Sequence, residues 1–145
     1  MRHTTYNTAN DRENNEILFR DAEHERFCLQ SLEKCRWCDV YHEALVYCLG
    51  IDRDTREHID RIYDFKSGDV KPECLHEGWQ TSGSMRTVRM AFNLYCNGTP
   101  SVYGIKNSKD KLRECAEYSV SDLFSCGYAK YFWEAVKIRY PEYCG

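Results

Sequence analysis

With 145 residues, 30% of them charged and 14% aromatic, the chain has the material for one domain burying roughly two-thirds of its unfolded surface, which excludes a disordered tail. No apolar run approaches the ~20 residues that cross a bilayer, and residues 1–15 lack the apolar core of a secretory signal, so a cytoplasmic protein is expected. The net charge of −3 is uneven, with 17 acids against 11 bases in residues 1–77 and 6 against 9 in residues 78–145; this suits packing between complementary faces or an acidic surface for a basic partner.

Residues 1–15 are polar, without periodicity, and read as a flexible arm before one helical domain over residues 16–145. Helical spacing runs from Ile17 to about Lys34, with Phe27, Cys28 and Leu32 as a partial stripe and Asp21 or Ser31 as cap. Cys35-Arg36-Trp37-Cys38 is a short junction. Asp39 is a good N-cap for a helix from Val40 to Leu49, with Gly50 closing it. Asp52 or Asp54 opens a further helix through Phe65, with Ile59, Ile62 and Tyr63 inward. Lys66 to Asp69 is a turn, and Pro72 suits the first position of a helical turn through Leu75.

Gly78-Trp79-Gln80-Thr81-Ser82-Gly83-Ser84 runs into an amphipathic helix ending near Asn97-Gly98, with Ser82 or Ser84 as cap and Met85, Val88, Phe92 and Tyr95 at helical spacing. Residues 99–117 give the weakest signal. Ser119 or Ser121 caps a turn holding Leu123 and Phe124, and a last helix spans Tyr128 to Arg139 before Pro141. The expected fold is all-α, a compact domain of five or six short helices, with room for a small β-hairpin around Tyr103 and Tyr118.

Nine cysteines are an odd number, and without a secretory signal thiols or metal ligands are expected rather than disulfides. Cys35-x-x-Cys38 has the spacing that places two thiolates on adjacent corners of a tetrahedral zinc. Cys74 and His76 are the most economical second half, with Cys28, His42, Cys126 and Cys144 as substitutes. The expected site is a structural zinc held by Cys35, Cys38, Cys74 and His76; the plain counterpart is free thiols packed as small hydrophobes.

A redox dithiol would need a strand-to-helix junction, and the His42-Glu43 pair lacks a second His four residues on. Asp52-Arg53-Asp54 reads as helix capping rather than a calcium loop. Gly78 to Ser84 lacks the Lys of a phosphate-binding loop, so capping is favoured there too. Arg86, Arg89, Lys106, Lys109, Lys111 and Arg113 make the second half mildly basic, but the pI near 6.0 argues against nucleic acid as principal partner.

Several strings carry a resemblance: Asp39 to Tyr47, Gly50-Ile51, Asp54 to Ile59, Gly78 to Ser84, Ala91 to Leu94, Tyr131 to Ala135 and Lys137 to Cys144. Together they are similar to an uncharacterised domain-of-unknown-function family of Firmicutes, often met in phages and integrated conjugative elements, and the similarity covers residues 17–145. The resemblance implies a mobile-element setting, where small proteins block host defence nucleases, and hence an anti-CRISPR role. The expected function is a non-catalytic protein-binding inhibitor that keeps a Cas effector such as Cas9 from loading nucleic acid. Acids of Asp21–Glu25 and Asp52–Asp64 would meet its basic groove. A small cysteine- or zinc-dependent enzyme, or an accessory regulatory protein of the element, is the alternative.

Overall fold

The computed structural model describes residues 16–145; the arm expected over residues 1–15 lies outside the described residues. The fold is all-α with one small hairpin. In chain order come α1 (Ala22–Lys34), α2 (Val40–Ile51), α3 (Arg53–Glu57), α4 (Ile59–Ile62), β1 (Tyr63–Asp64), β2 (Asp69–Val70) and a 3-10 turn (Pro72–His76). Then follow α5 (Ser82–Cys96), a 3-10 turn (Pro100–Val102), α6 (Ser108–Ala116), α7 (Val120–Phe124), α8 (Ala129–Arg139) and α9 (Pro141–Cys144). Among the described residues, five of these helices have nine residues or more; the others are one turn or little more.

α2 is the central helix. Every residue from His42 to Ile51 is buried, because α1, α5 and α8 all pack against it. A helix apolar on all sides belongs inside a core, and Ala44, Leu45, Val46, Leu49 and Ile51 supply that surface. Val88, Ala91 and Phe92 of α5 and Phe132, Ala135 and Ile138 of α8 fill the facing positions.

Short acidic caps start the helices of the first half. Asp21, Asp39 and Asp52 accept hydrogen bonds from the amides of His24, His42 and of both Asp54 and Thr55, satisfying donors that have no partner within the helix. Glu23, Glu57 and Glu77 pair with Arg56, Arg53 and Arg61. Six acidic side chains of the first half are thus engaged by helix amides or arginines, while the net acidic balance of that half is unchanged.

Four local expectations are corrected. α1 begins at Ala22 rather than Ile17: Leu18 donates its amide to Glu134 (3.1 Å) and gives its carbonyl to the Tyr47 hydroxyl, so tertiary bonds take the backbone groups a helix would use. Gly50 does not end α2 but lies inside it, buried where α1 crosses. The helix expected through Phe65 breaks after Ile62 into the hairpin, with Tyr63 opposite Val70 and Asp64 opposite Asp69. The Asp64 carboxylate accepts the Lys66 and Ser67 amides, and Gly68 supplies φ 78° at the turn. Tyr103 and Tyr118 form no strand; the Tyr118 hydroxyl meets that of Ser101 at 2.6 Å.

The cap of α5 is Thr81, not Ser82 or Ser84. Thr81 Oγ1 accepts the Ser84 amide (3.0 Å) and Ser84 Oγ accepts the Thr81 amide (2.7 Å), a reciprocal capping box. Asn97 ends the helix in the left-handed region at φ 56°. Arg139 of α8 reaches this end, donating to the Leu94 carbonyl (3.0 Å) and Asn97 Oδ1 (3.0 Å). Its guanidinium lies 3.7 Å above the Tyr41 ring and 4.5 Å above that of Tyr140. A cation at the negative end of a helix dipole, sandwiched by aromatic faces, is favourably placed.

Candidate interaction surface

Cys35 to Cys38 form the junction between α1 and α2, and Trp37 stands out of it, 54% exposed. A tryptophan in solvent is unusual because so much apolar area stays wet. Here it is held rather than loose. The Arg36 guanidinium lies 4.7 Å above its ring, and His42 stands behind it at 6.1 Å between centroids. His42 Nδ1 donates to Asp39 Oδ1 (2.7 Å), which fixes the imidazole. Burial works against the Asp39 charge, yet bonds from the His42 amide and ring outweigh it and hold the carboxyl below its usual range.

The ring chain continues inward. Tyr95 meets His42 edge-on at 5.3 Å and Tyr63 at 5.4 Å, and Phe65 meets Tyr63 at 5.1 Å. The Tyr95 hydroxyl donates to the Gly68 carbonyl (2.7 Å), so the Tyr63 hydroxyl is left to donate to Tyr95 (3.1 Å). Burial pushes both phenols upward; they stay neutral. Arg36 also bonds the Lys66 carbonyl (3.5 Å), and Lys34 lies 5.7 Å above the Phe65 ring. Junction and hairpin thus form one surface, bordered by a depression of about 330 Å³ lined by Asp60, Tyr63, Asp64, Phe65, Lys66 and Lys71. Its lysines and aspartates are balanced, a mixture suited to protein rather than phosphate.

The four expected zinc ligands are not brought together. Cys35, half-buried, donates to the Ser31 carbonyl (3.4 Å) and lies in the field of Tyr63 and Tyr95. Cys38 is half-buried in the same junction. Cys74 is buried in the 3-10 turn among Glu73, Glu77 and Arg61, where burial raises its thiol to about 12. His76 is exposed at the end of that turn. Among the described residues no three His, Cys, Asp or Glu side chains are grouped to hold a metal ion, so as placed these four do not fit a tetrahedral zinc. The substitutes fare similarly: Cys28 donates to the Val46 carbonyl (3.6 Å) and Cys126 to the Leu123 carbonyl (3.5 Å).

The serine-rich loop before α5 spends its polar groups internally. Ser84 Oγ donates to Gln80 Oε1 (2.5 Å), and Gln80 Nε2 donates to the Cys74 carbonyl (3.0 Å). Trp79, only half-buried, stacks on His58 at 4.2 Å and 1° and donates to Glu77 (2.7 Å). It closes the loop against α3. Trp37 is the most open of the three tryptophans, 54% exposed against 49% for Trp133, and sequence reasoning passed over it as part of a junction. Its signal was a Trp preceded by Arg in a stretch too short to bury either.

A family model matches residues 14–145. The chain belongs to the DUF6075 family. That family is described as one of unknown function. No curated protein and no solved structure matches the chain. Among the described residues no helix is long and apolar enough to cross a membrane.

Proposed function

We propose that this DUF6075 protein is a non-catalytic protein-binding inhibitor from a phage or mobile element, and that its target is a Cas effector nuclease of the Cas9 type. It would act by keeping the effector from loading nucleic acid. The observation that carries the binding reading is Trp37: large, exposed, capped by an arginine and backed by a fixed chain of rings. Tryptophan and arginine dominate the energetics of protein interfaces, and a side chain already held in place loses little entropy on docking. The target class rests on the sequence resemblance alone.

The test is co-purification with a panel of effector nucleases, paired with plasmid interference in cells. An effector retained by the wild type and weakened on the order of thirtyfold by Trp37→Ala would support the reading. Interference at full strength across the panel, with no effector retained, would remove it.

A further inference from the structure

We infer a second docking surface on α6, distinct from that of Trp37, which takes an acidic amphipathic segment of a partner protein. Among the described residues α6 is the only helix of nine or more residues that buries no side chain. It is tied to the core by charge. Arg89 of α5, nearly buried, donates Nε and Nη2 to the Glu114 carboxylate (2.8 and 3.0 Å), and Glu117 lies 3.6 Å from its Nη1. Ser101 adds a bond to Glu114 at 2.6 Å.

This arrangement sorts the charges of the segment. At 100° per residue Asp110 falls beside Glu114 on the side of α6 nearer Arg89, while Lys109, Leu112 and Ala116 fall on the opposite face. Asp110 is engaged by Arg113 at 3.6 Å. Lys106, Lys109 and Lys111 have no carboxylate partner among the described residues. Leu112 stands among them 72% exposed, and Val120, just beyond the helix, is equally open. The buried arginine thus holds Glu114 and Glu117 inward and leaves Lys109 and Lys111 flanking the exposed Leu112.

Charge complementarity calls for an acidic occupant. The aliphatic groups select protein over nucleic acid, because leucine and valine give nothing to a phosphate backbone, whereas they fill the apolar stripe of an amphipathic helix.

The experiment measures fluorescence anisotropy with a labelled peptide of glutamate and leucine at helical spacing, beside a labelled oligothymidylate. Peptide binding should weaken at high salt and fall by about tenfold, separately, in Lys109→Glu/Lys111→Glu and in Leu112→Ser. Because none of these side chains is buried, the melting temperature should not move, and Trp37→Ala should leave this binding intact. That separates failure here from failure of the inhibitor reading. No binding of the peptide, full binding by Leu112→Ser, or tighter binding of oligothymidylate would each overturn the inference.

Discussion

Gly50 of α2 and His24 of α1 pack so closely that a β-carbon at position 50 would lie 2.7 Å from His24 Cδ2, with Phe27 Cδ1 at 2.9 Å. The imidazole cannot retreat, since Nε2 bonds the Tyr47 carbonyl (2.8 Å) while Nδ1 accepts the Arg20 amide (3.0 Å). Alanine normally strengthens a helix interior by up to ~1 kcal/mol over glycine. At this crossing overpacking outweighs that gain. Gly50→Ala should lose about 1–2 kcal/mol in urea denaturation, and an unchanged or raised midpoint would contradict the packing.

The same histidine sets a pH dependence. Burial holds His24 down at about 4, with Arg56 and Arg20 acting the same way and the Tyr47 carbonyl and Asp21 opposing. The unfolded chain takes up this proton near 6.5, the folded one only near 4, so between these values the unfolded state binds more protons. The neutral ring's contribution is complete above ~6.5 and falls away as the pH drops to about 4, on the order of 3 kcal/mol in all. Urea midpoints across that window should decline with acid, and a His24 resonance titrating near 6.5 in the folded protein would refute the cause.

Glu114 is the chief tether of α6. Glu114→Ala leaves Arg89 with Glu117 alone and frees a helix that has no buried residue. Amide exchange over residues 108–116 should speed on the order of tenfold or more while α2 stays protected. Uniform protection in the variant would mean that other contacts dock the helix.

The capping box before α5 predicts a modest local cost. Thr81→Ala removes the acceptor of the Ser84 amide and should lose about 1 kcal/mol by thermal or urea unfolding. A loss within experimental error would show that Ser84 and Gln80 hold the turn without it.

Zinc is open to direct measurement. The Cys74 thiol, raised to about 12 by burial, lies among neighbours other than those of Cys35, and His76 is exposed. A chelator should therefore leave the melting temperature unchanged, and His76→Ala should cost no more than about 0.5 kcal/mol. One zinc per chain by elemental analysis, lost together with the fold on chelation, would reverse this.

Capping was legible because it is local: Asp21, Asp39, Asp52 and Ser119 each lie within a few residues of the amides they satisfy. The Trp37 surface was not, because its backing comes from His42, Tyr95, Tyr63 and Phe65 on three separate elements. Arg89 was equally hidden. Helical spacing set it on a polar face of α5, and only the approach of Glu114 from 25 residues away made that position buried.

The amino-acid order by itself determined the helical class, the starts of α2, α3 and α7, the span of α8 and the closing of α5 at Asn97, since these follow from propensity, periodicity and side-chain bonds to the adjacent backbone. Only the tertiary structure decided that Gly50 sits inside a helix, that the chain after Ile62 turns into a hairpin, that among the described residues the candidate zinc ligands form no group of three around a metal position, and which aromatic and basic side chains face outward. Each of those outcomes depends on which distant surface arrives to cover a residue, and no spacing along the chain encodes that.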